Sequence, residues 1–454
     1  MGEDYGFLCL IPIIVVITLA IITKRTMASL IIGSIIAAIL AYGAGFFTYW
    51  VDALYDTFSN GTWQWMAMVC GLFGSLVALF HISNCIGGFS DIAYKIADTK
   101  RKSLVATFIF CILLFVDDWL NILIVGNAMK AVTDRNRIPR EFLAYILASN
   151  AACICVLVPF STWSAFFMGL YEANGVSPQG MGMEVYIGTI PYFFFPLISL
   201  AICMLIILRI LPVWGPMRKV IIRAEQGQVL SDEAMMQEKN SDAELGNERK
   251  RSSPLNFVLP LLVLATVTIM TKEMLFGVMS AILACAVLYF AQRLISFSDF
   301  CAAMMNGFKD MLGVIGIVFA AFVLRLFNDA LGLADYVIGL VSGNASASML
   351  PAICFLIVSA LAFAAGNFWG MAAITFPVMV PMGISAGADI SLMASSLVCG
   401  ITFGAAACFY GSEVVLACSS TKIANIDYAK TALPLVLAPF CLTVICFAIA
   451  GHIL

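Results

Sequence analysis

The sequence predicts an all-α polytopic membrane protein built from two inverted-topology repeats, each with about five transmembrane helices, one re-entrant hairpin and a broken helix. Three observations lead there. Of 454 residues, 62% are hydrophobic and 11% charged, the mean hydropathy is +1.01, and apolar runs of about 18 residues or more, enough to cross a bilayer, recur along the chain. A single long polar stretch, 213–253, separates these runs into two sets, which predicts a first membrane repeat over 1–212, a cytoplasmic linker over 213–253 and a second repeat over 254–454. Finally, landmarks recur: "VDDWLN" answers "AGNFWG", "PFSTWS" answers "FYGSEV", and the interval from Asp117 to Phe160 equals that from Asn367 to Tyr410.

Each half opens with two apolar spans, 6–23 and 27–46 in the first, 254–271 and 274–292 in the second. The run at 6–23 lacks a basic leader and a small-residue cleavage site, so it reads as a membrane helix. A short amphipathic stretch follows in both halves ("YWVDALYDTFSNG", "FSDFCAAMMNGFKDM"), then a third span near 63–83 or 311–328. Basic residues gather at Lys24–Arg25, 95–102, 130–140 and 218–251, whereas 47–62 and 171–188 hold none. Placing the basic clusters inside puts the N-terminus outside. The clusters at 95–102 and 130–140 then flank one apolar segment from the same side. A spanning helix cannot join them, so a re-entrant hairpin is expected: 103–116 enters, "DDWLN" turns at depth, and 122–128 returns. Non-helical backbone at that depth must be enclosed by protein or a water-filled cavity.

The next segment, 141–170, is long for one span and carries Ser149, Asn150, Pro159, Ser161 and Thr162 in its middle, which predicts a broken helix with its break at Ser149–Asn150. Five crossings plus a hairpin make an odd number, so the second half must be inverted. Its hairpin is expected at 346–381, turning at "GNFWG", and its broken helix at 391–421. The flanks 329–345 and 382–390 contain no Lys or Arg, as an external position requires. The polar linker has a composition compatible with disorder in its middle.

Asp117 and Asp118 are the residues that demand an explanation. A charge near the bilayer centre costs about 3 kcal/mol on insertion scales and more in simulations. No basic residue lies within the hairpin to neutralise them. Adjacent carboxylates cannot both ionise cheaply, so sodium and protons should compete for them. The alternative is a pair that merely caps a broken helix at its positive dipole end. Asn121 and Asn127 add amide oxygens, good ligands for a small hard cation. Ser149, Asn150, Ser161 and Thr162 follow, each with the alternative of bonding its own helix carbonyls. In the second half Asn367 takes the place of Asp117, and Ser412 and Glu413 stand in the following segment, where Glu413 is the only acid of 391–421. The alternative for Glu413 is an ordinary polar residue facing a cytoplasmic vestibule. Trp119, Trp163, Phe368 and Trp369 either wall a small organic solute or pack the hairpins. Arg325 snorkels, pairs with an acid or meets an anionic solute.

Other chemistry is disfavoured. Most of the fifteen cysteines sit in apolar runs without CxxC spacing and read as buried hydrophobes. Only His81 and His452 exist, too few for a histidine metal site. There is no P-loop, dinucleotide fingerprint, HExxH or nucleophile elbow, so no enzymatic activity, cofactor or nucleic-acid partner is expected. A channel would need a continuous polar lining. An aspartyl intramembrane protease would draw its two acids from separate helices.

The block "FVDDWLNILIVGNAMKAVTDRNRIPREFLAYILASNAACICVLVPFSTWSAFFMGL" resembles the central region of the NhaC-type sodium/proton antiporter family. So do "SALAFAAGNFWGMAAITFPVMVP" and "IANIDYAKTALP", and the similarity covers nearly the whole chain. The resemblance implies inverted repeats, two hairpins, two broken helices, a homodimer and an elevator-like transport domain in a bacterial inner membrane. The chain departs from the family where an Asp-His pair and a later Asp are usual: here stand Ala405, Ala406 and Ser412, with Glu413 adjacent, and the Thr-Ser-Trp tip is "GNFWG". The expected function is therefore a secondary transporter that binds Na+ and/or H+ through Asp117, Asp118 and Asn121, with Ser149 and Asn150 completing that site. Asn127, Ser161, Thr162, Asn367, Ser412 and Glu413 would form a substrate or second ion site. Sodium/proton antiport leads; cation-coupled symport or exchange of a small organic acid or amino acid is the alternative.

Overall fold

The computed structural model describes residues 5–23, 25–84, 97–230, 252–333, 336 and 347–453. Among these every regular element is helical. The first half contains α1 (Ile11–Thr23), α2 (Thr26–Tyr42), α3 (Phe46–Ser59), α4 (Gly61–Ile82), α5 (Lys100–Leu113), α6 (Asp118–Arg135), α7 (Arg140–Leu157), α8 (Thr162–Ala173), α9 (Gly182–Thr189), α10 (Phe194–Ile207) and α11 (Pro216–Glu225). The second contains α12 (Leu255–Thr271), α13 (Met274–Ala291), α14 (Phe297–Ala330), α15 (Leu350–Ala365), α16 (Phe368–Ser385), α17 (Ile390–Ala407), α18 (Ser412–Thr421), α19 (Asn425–Thr431) and α20 (Leu433–Ile453). Among the described residues nine helices are long and apolar enough to cross a membrane, and up to ten if the pair Gly182–Tyr192 and Phe194–Ile207, bent by 53°, forms one span. This is an all-α polytopic membrane protein.

The two halves keep one register. Corresponding helices begin at a constant separation: 100 and 350, 118 and 368, 140 and 390, 162 and 412. They differ at the third span. Asn60 adopts an extended conformation and its side chain accepts from Trp63 N, which ends α3 and starts α4. The second half has no such cap, and the expected amphipathic stretch and span fuse into the 34-residue α14. α14 packs along α4, where Gly74 and Gly307 face each other; a methyl on either would overlap the other's carbonyl oxygen. Small residues at such a crossing let two membrane helices approach closely.

The hairpin is present and antiparallel. At its open end Arg135 Nη2 and Asn136 Nδ2 donate to the Ala97 carbonyl at 3.0 and 3.1 Å, and Asn136 Nδ2 also donates to Ser103 Oγ at 2.8 Å. At its tip Asn121 Nδ2 donates to the carbonyls of Cys111 (2.6 Å) and Leu114 (3.2 Å). The 14 residues of α5 span about 21 Å, short of the roughly 30 Å of a hydrocarbon core. The returning helix α6 is longer than the expected 122–128, because Arg135 and Asn136 anchor its end. In the second half Leu350, at the start of α15, clusters with Met382 and Ala386 near the end of α16, so that pair is antiparallel too. Residue 346, where this hairpin was expected to begin, lies outside the described residues.

One expectation is corrected. α7 runs unbroken through Ser149 and Asn150 to Leu157. The break comes at Val158–Ser161, where Pro159 supplies no N–H and forces Val158 into the extended region (φ −97°, ψ 116°). The matching break at Cys408–Gly411 has no proline. Both ends are closed alike: Tyr186 Oη donates to the Val156 carbonyl and Tyr428 Oη to the Ala406 carbonyl, each at 2.6 Å. Carbonyls that a helix end leaves open must find such donors where water is scarce.

The start of the polar linker is ordered. α11 packs against α7 and α19, and Arg223 pairs with the buried Glu141 at 2.8 Å. The middle of the linker, 231–251, lies outside the described residues. Arg325 pairs loosely with Asp329, Nε to Oδ2 at 3.7 Å. The described cysteines are free and most are buried.

Candidate functional site

Four helix N-termini meet at the two hairpin tips and the two breaks. Asp117 leaves α5 in an extended conformation (φ −152°, ψ 136°) and caps α6, its Oδ1 accepting from Leu120 N at 3.0 Å. Asn367 does the same for α16, its Oδ1 accepting from Gly370 N at 3.0 Å. The preceding Gly366 has φ 64°, a left-handed conformation that suits glycine, and a tyrosine ring (Tyr410) lies against it. Thr162 N bonds the Val116 carbonyl at 2.9 Å, tying the start of α8 to the first tip. Trp163 and Trp369 stack obliquely with ring centres 5.1 Å apart, joining α8 to α16. Gly411, at the start of α18, packs on the Phe368 ring. All four positive dipole ends thus point into one place, where negative charge is favoured.

Three carboxylates occupy that place. Asp117, Asp118 and Glu413 are 4%, 1% and 0% exposed. Thr162 Oγ1 donates to Asp117 Oδ2 at 3.2 Å. Ser412 Oγ donates to Glu413 Oε2 at 2.8 Å, and Trp119 Nε1 to Glu413 Oε1 at 3.4 Å. Asp118, from the first half, faces Glu413, from the second, close enough for each carboxylate to act on the other. Among the described residues no Lys or Arg forms an ion pair with any of the three. The approach joins non-equivalent positions: by the helix register Asp118 corresponds to Phe368 and Glu413 to Trp163. The backbone is repeated, and the acids are not.

The other expected residues divide. Asn121 is fully buried; its amide N–H groups hold the hairpin while Oδ1 has no partner. Asn150 Nδ2 reaches the Cys203 thiol on α10 at 3.6 Å, and its Oδ1 too lacks a partner. Ser149 spends its hydroxyl on the Tyr145 carbonyl one turn back, at 2.5 Å. Ser161 caps α8 in a reciprocal box with Ser164 and donates to the Cys155 carbonyl at 2.6 Å. No hydrogen bond joins Ser149, Asn150 or Ser161 to the carboxylates. Asn127 is exposed on the far face of α6. Asp118 Oδ2 and Trp163 Nε1 have no hydrogen-bond partner either, although they lie near each other.

The orphaned acceptors Asp118 Oδ2 and Asn121 Oδ1 suit a small hard cation. Among the described residues no group of three or more His, Cys, Asp or Glu side chains is arranged to hold a metal ion. A cation here would therefore take mixed ligands, two carboxylates with amide, hydroxyl or backbone oxygens. Sequence reasoning passed over Tyr186 and Tyr428 and took Cys155 and Cys408 only as buried hydrophobes. The thiols donate to the Phe115 and Phe363 carbonyls at 3.1 and 3.2 Å, closing the hairpin ends. No spacing announces them, since each partner comes from a distant segment.

Paired helical hairpins facing paired broken helices, with acids buried between them, define a helical membrane transporter. The chain belongs to the Na+/H+ antiporter family, whose profile matches residues 155–452. That match takes in both breaks and Glu413 and leaves out the first tip. The chain is 26% identical, over 94% of its length and 87% of the relative's, to an uncharacterised protein of Haemophilus influenzae. Its fold is similar to that of the Alcanivorax borkumensis YdaH transporter (TM-score 0.57, 11% identity, 90% and 89% of the two chains). It is also similar to MtrF of Neisseria gonorrhoeae, described within a class of antimetabolite efflux pumps (TM-score 0.57, 14% identity, 90% and 83%).

Proposed function

We propose that this protein exchanges sodium for protons across a bacterial inner membrane, and that Asp118 and Glu413, supported by Asp117, are where the two ions compete. The observation that carries this reading is the burial of Asp118 between Glu413 and Asp117, all three without a basic partner. Desolvated acids so close cannot all stay charged alone. Either protons neutralise them or a sodium ion joins them, and each state excludes the other. Asn121 Oδ1 and Thr162 supply further oxygen. The repeats 1–212 and 254–454 would be inverted, joined by the cytoplasmic linker 213–253, with the N-terminus outside. A homodimer carrying a moving transport domain fits the family.

The alternative reading is coupled transport of a small organic acid or amino acid. The unpartnered Trp163 Nε1 favours it, because a donor beside four helix N-termini suits a carboxylate. The tight enclosure of the carboxylates favours the ions. Proteoliposomes with an internal pH dye decide between them. Sodium-driven proton flux without added solute supports antiport; flux that appears only with an organic solute overturns it.

A further inference from the structure

A second polar feature lies far from the carboxylates. Between the N-terminal ends of α5 and α7, the C-terminal end of α10 and the helix α11 is a recess of about 510 Å³. Its rim carries Lys100, Arg101, Arg137, Arg209 and Arg218, with Glu225 as its one acid. Lys100 Nζ occupies Glu225 at 2.9 Å, and Arg137 Nη1 donates to the Glu225 carbonyl at 3.2 Å. Arg101, Arg209 and Arg218 form no ion pair among the described residues. The floor is apolar: Leu104, Phe142, Ile206, Ile207 and Ile221.

This combination has a specific meaning at a membrane boundary. Scattered interfacial Lys and Arg reach into water and need no partner. Here five cations from four segments converge on one concavity whose apolar floor is continuous with membrane helices. Basic recesses between helices at that level suit phosphate head groups, and guanidinium groups bind phosphate oxygens two at a time. We propose that the recess binds a phosphate-bearing anion, supplied by the head group of an anionic phospholipid. An occupant would touch Lys100 and Arg101 on the outer limb of the hairpin and Arg218 on the linker helix together. It would hold the foot of the hairpin whose tip carries Asp117. This site is independent of the transported ion.

The test is the thermal stability of the purified full-length protein against phosphatidylglycerol, phosphatidylcholine and inorganic phosphate, with bound lipid counted by native mass spectrometry. Phosphatidylglycerol should raise the melting temperature and stay bound, and phosphatidylcholine should do neither. Arg209→Gln with Arg218→Gln should weaken the phosphatidylglycerol effect on the order of tenfold or more, since two interfacial basic groups are lost. Should that pair fold poorly, Arg101→Gln alone serves, with a smaller loss. Lys422→Gln with Lys430→Gln, basic residues outside the recess, should leave the effect intact. Stabilisation by inorganic phosphate as well supports the site and assigns it to the phosphate group. Equal lipid binding by wild type and the recess variants, or equal loss in the Lys422/Lys430 control, overturns the proposal.

Discussion

Glu413→Gln separates the charge of the second-half acid from its shape. The amide keeps the side-chain length; its one oxygen can still accept from Trp119, while its NH2 in the place of Oε2 can only donate to Ser412 Oγ. What disappears is one of the charges that would hold a cation against Asp118. Unit charges about 4 Å apart at an effective dielectric near 20 interact by about 4 kcal/mol. At about 1.4 kcal/mol per tenfold, apparent sodium affinity should fall by roughly two to three powers of ten. The assay is proton efflux from dye-loaded proteoliposomes across a sodium series. Half-saturation should move far upward, and flux at low sodium should vanish. The same change relieves repulsion between buried acids, so the melting temperature in sodium-free buffer should hold or rise. A variant with wild-type half-saturation and wild-type flux would refute the assignment of Glu413 to the ion site.

Other substitutions divide structural from functional roles. Asp117→Asn keeps an equally good N-cap, the residue that the second half uses at Asn367, so stability should stay near wild type while exchange falls; Asp117→Ala should lose about 1 kcal/mol or more of stability as well. Circular dichroism melts read the difference. Arg223→Ala strands the buried Glu141 and should cost about 3 kcal/mol, most of it recovered in the double variant with Glu141→Ala, as a double-mutant cycle of melts would reveal. Gly307→Leu forces α4 and α14 apart at Gly74 and should destabilise by about 3 kcal/mol or more, read as loss of monodisperse protein after detergent extraction.

Much of the architecture was legible because the membrane leaves few options. Apolar runs located the spans, and basic loops flanking one short segment required a hairpin. The recurrence of "VDDWLN" and "AGNFWG" at a fixed register aligned the halves. The position of the first break was less legible. Ser149 and Asn150 look like an interruption in a one-dimensional reading, but a serine satisfies itself on Tyr145, and Pro159 is the residue that removes a backbone donor. Asn121 was legible as polar and buried; its N–H groups turn out to hold the hairpin shut. The meeting of Asp118 with Glu413 could not be read from either half. The repeat register pairs each with an aromatic ring, Phe368 and Trp163, and only the folded arrangement of four helix ends brings the two acids together. Tyr186 and Tyr428 were invisible for the same reason: a hydroxyl that closes a distant helix end leaves no local pattern.

Proton release on sodium binding tests the exchange site most directly. Purified protein in weakly buffered, sodium-free solution receives sodium chloride, with choline chloride as control, while a pH electrode records. Sodium should liberate protons from the wild type, and Asp118→Asn combined with Glu413→Gln should release none. Sodium that binds without freeing protons, or undiminished release from the double variant, would contradict competition at these carboxylates.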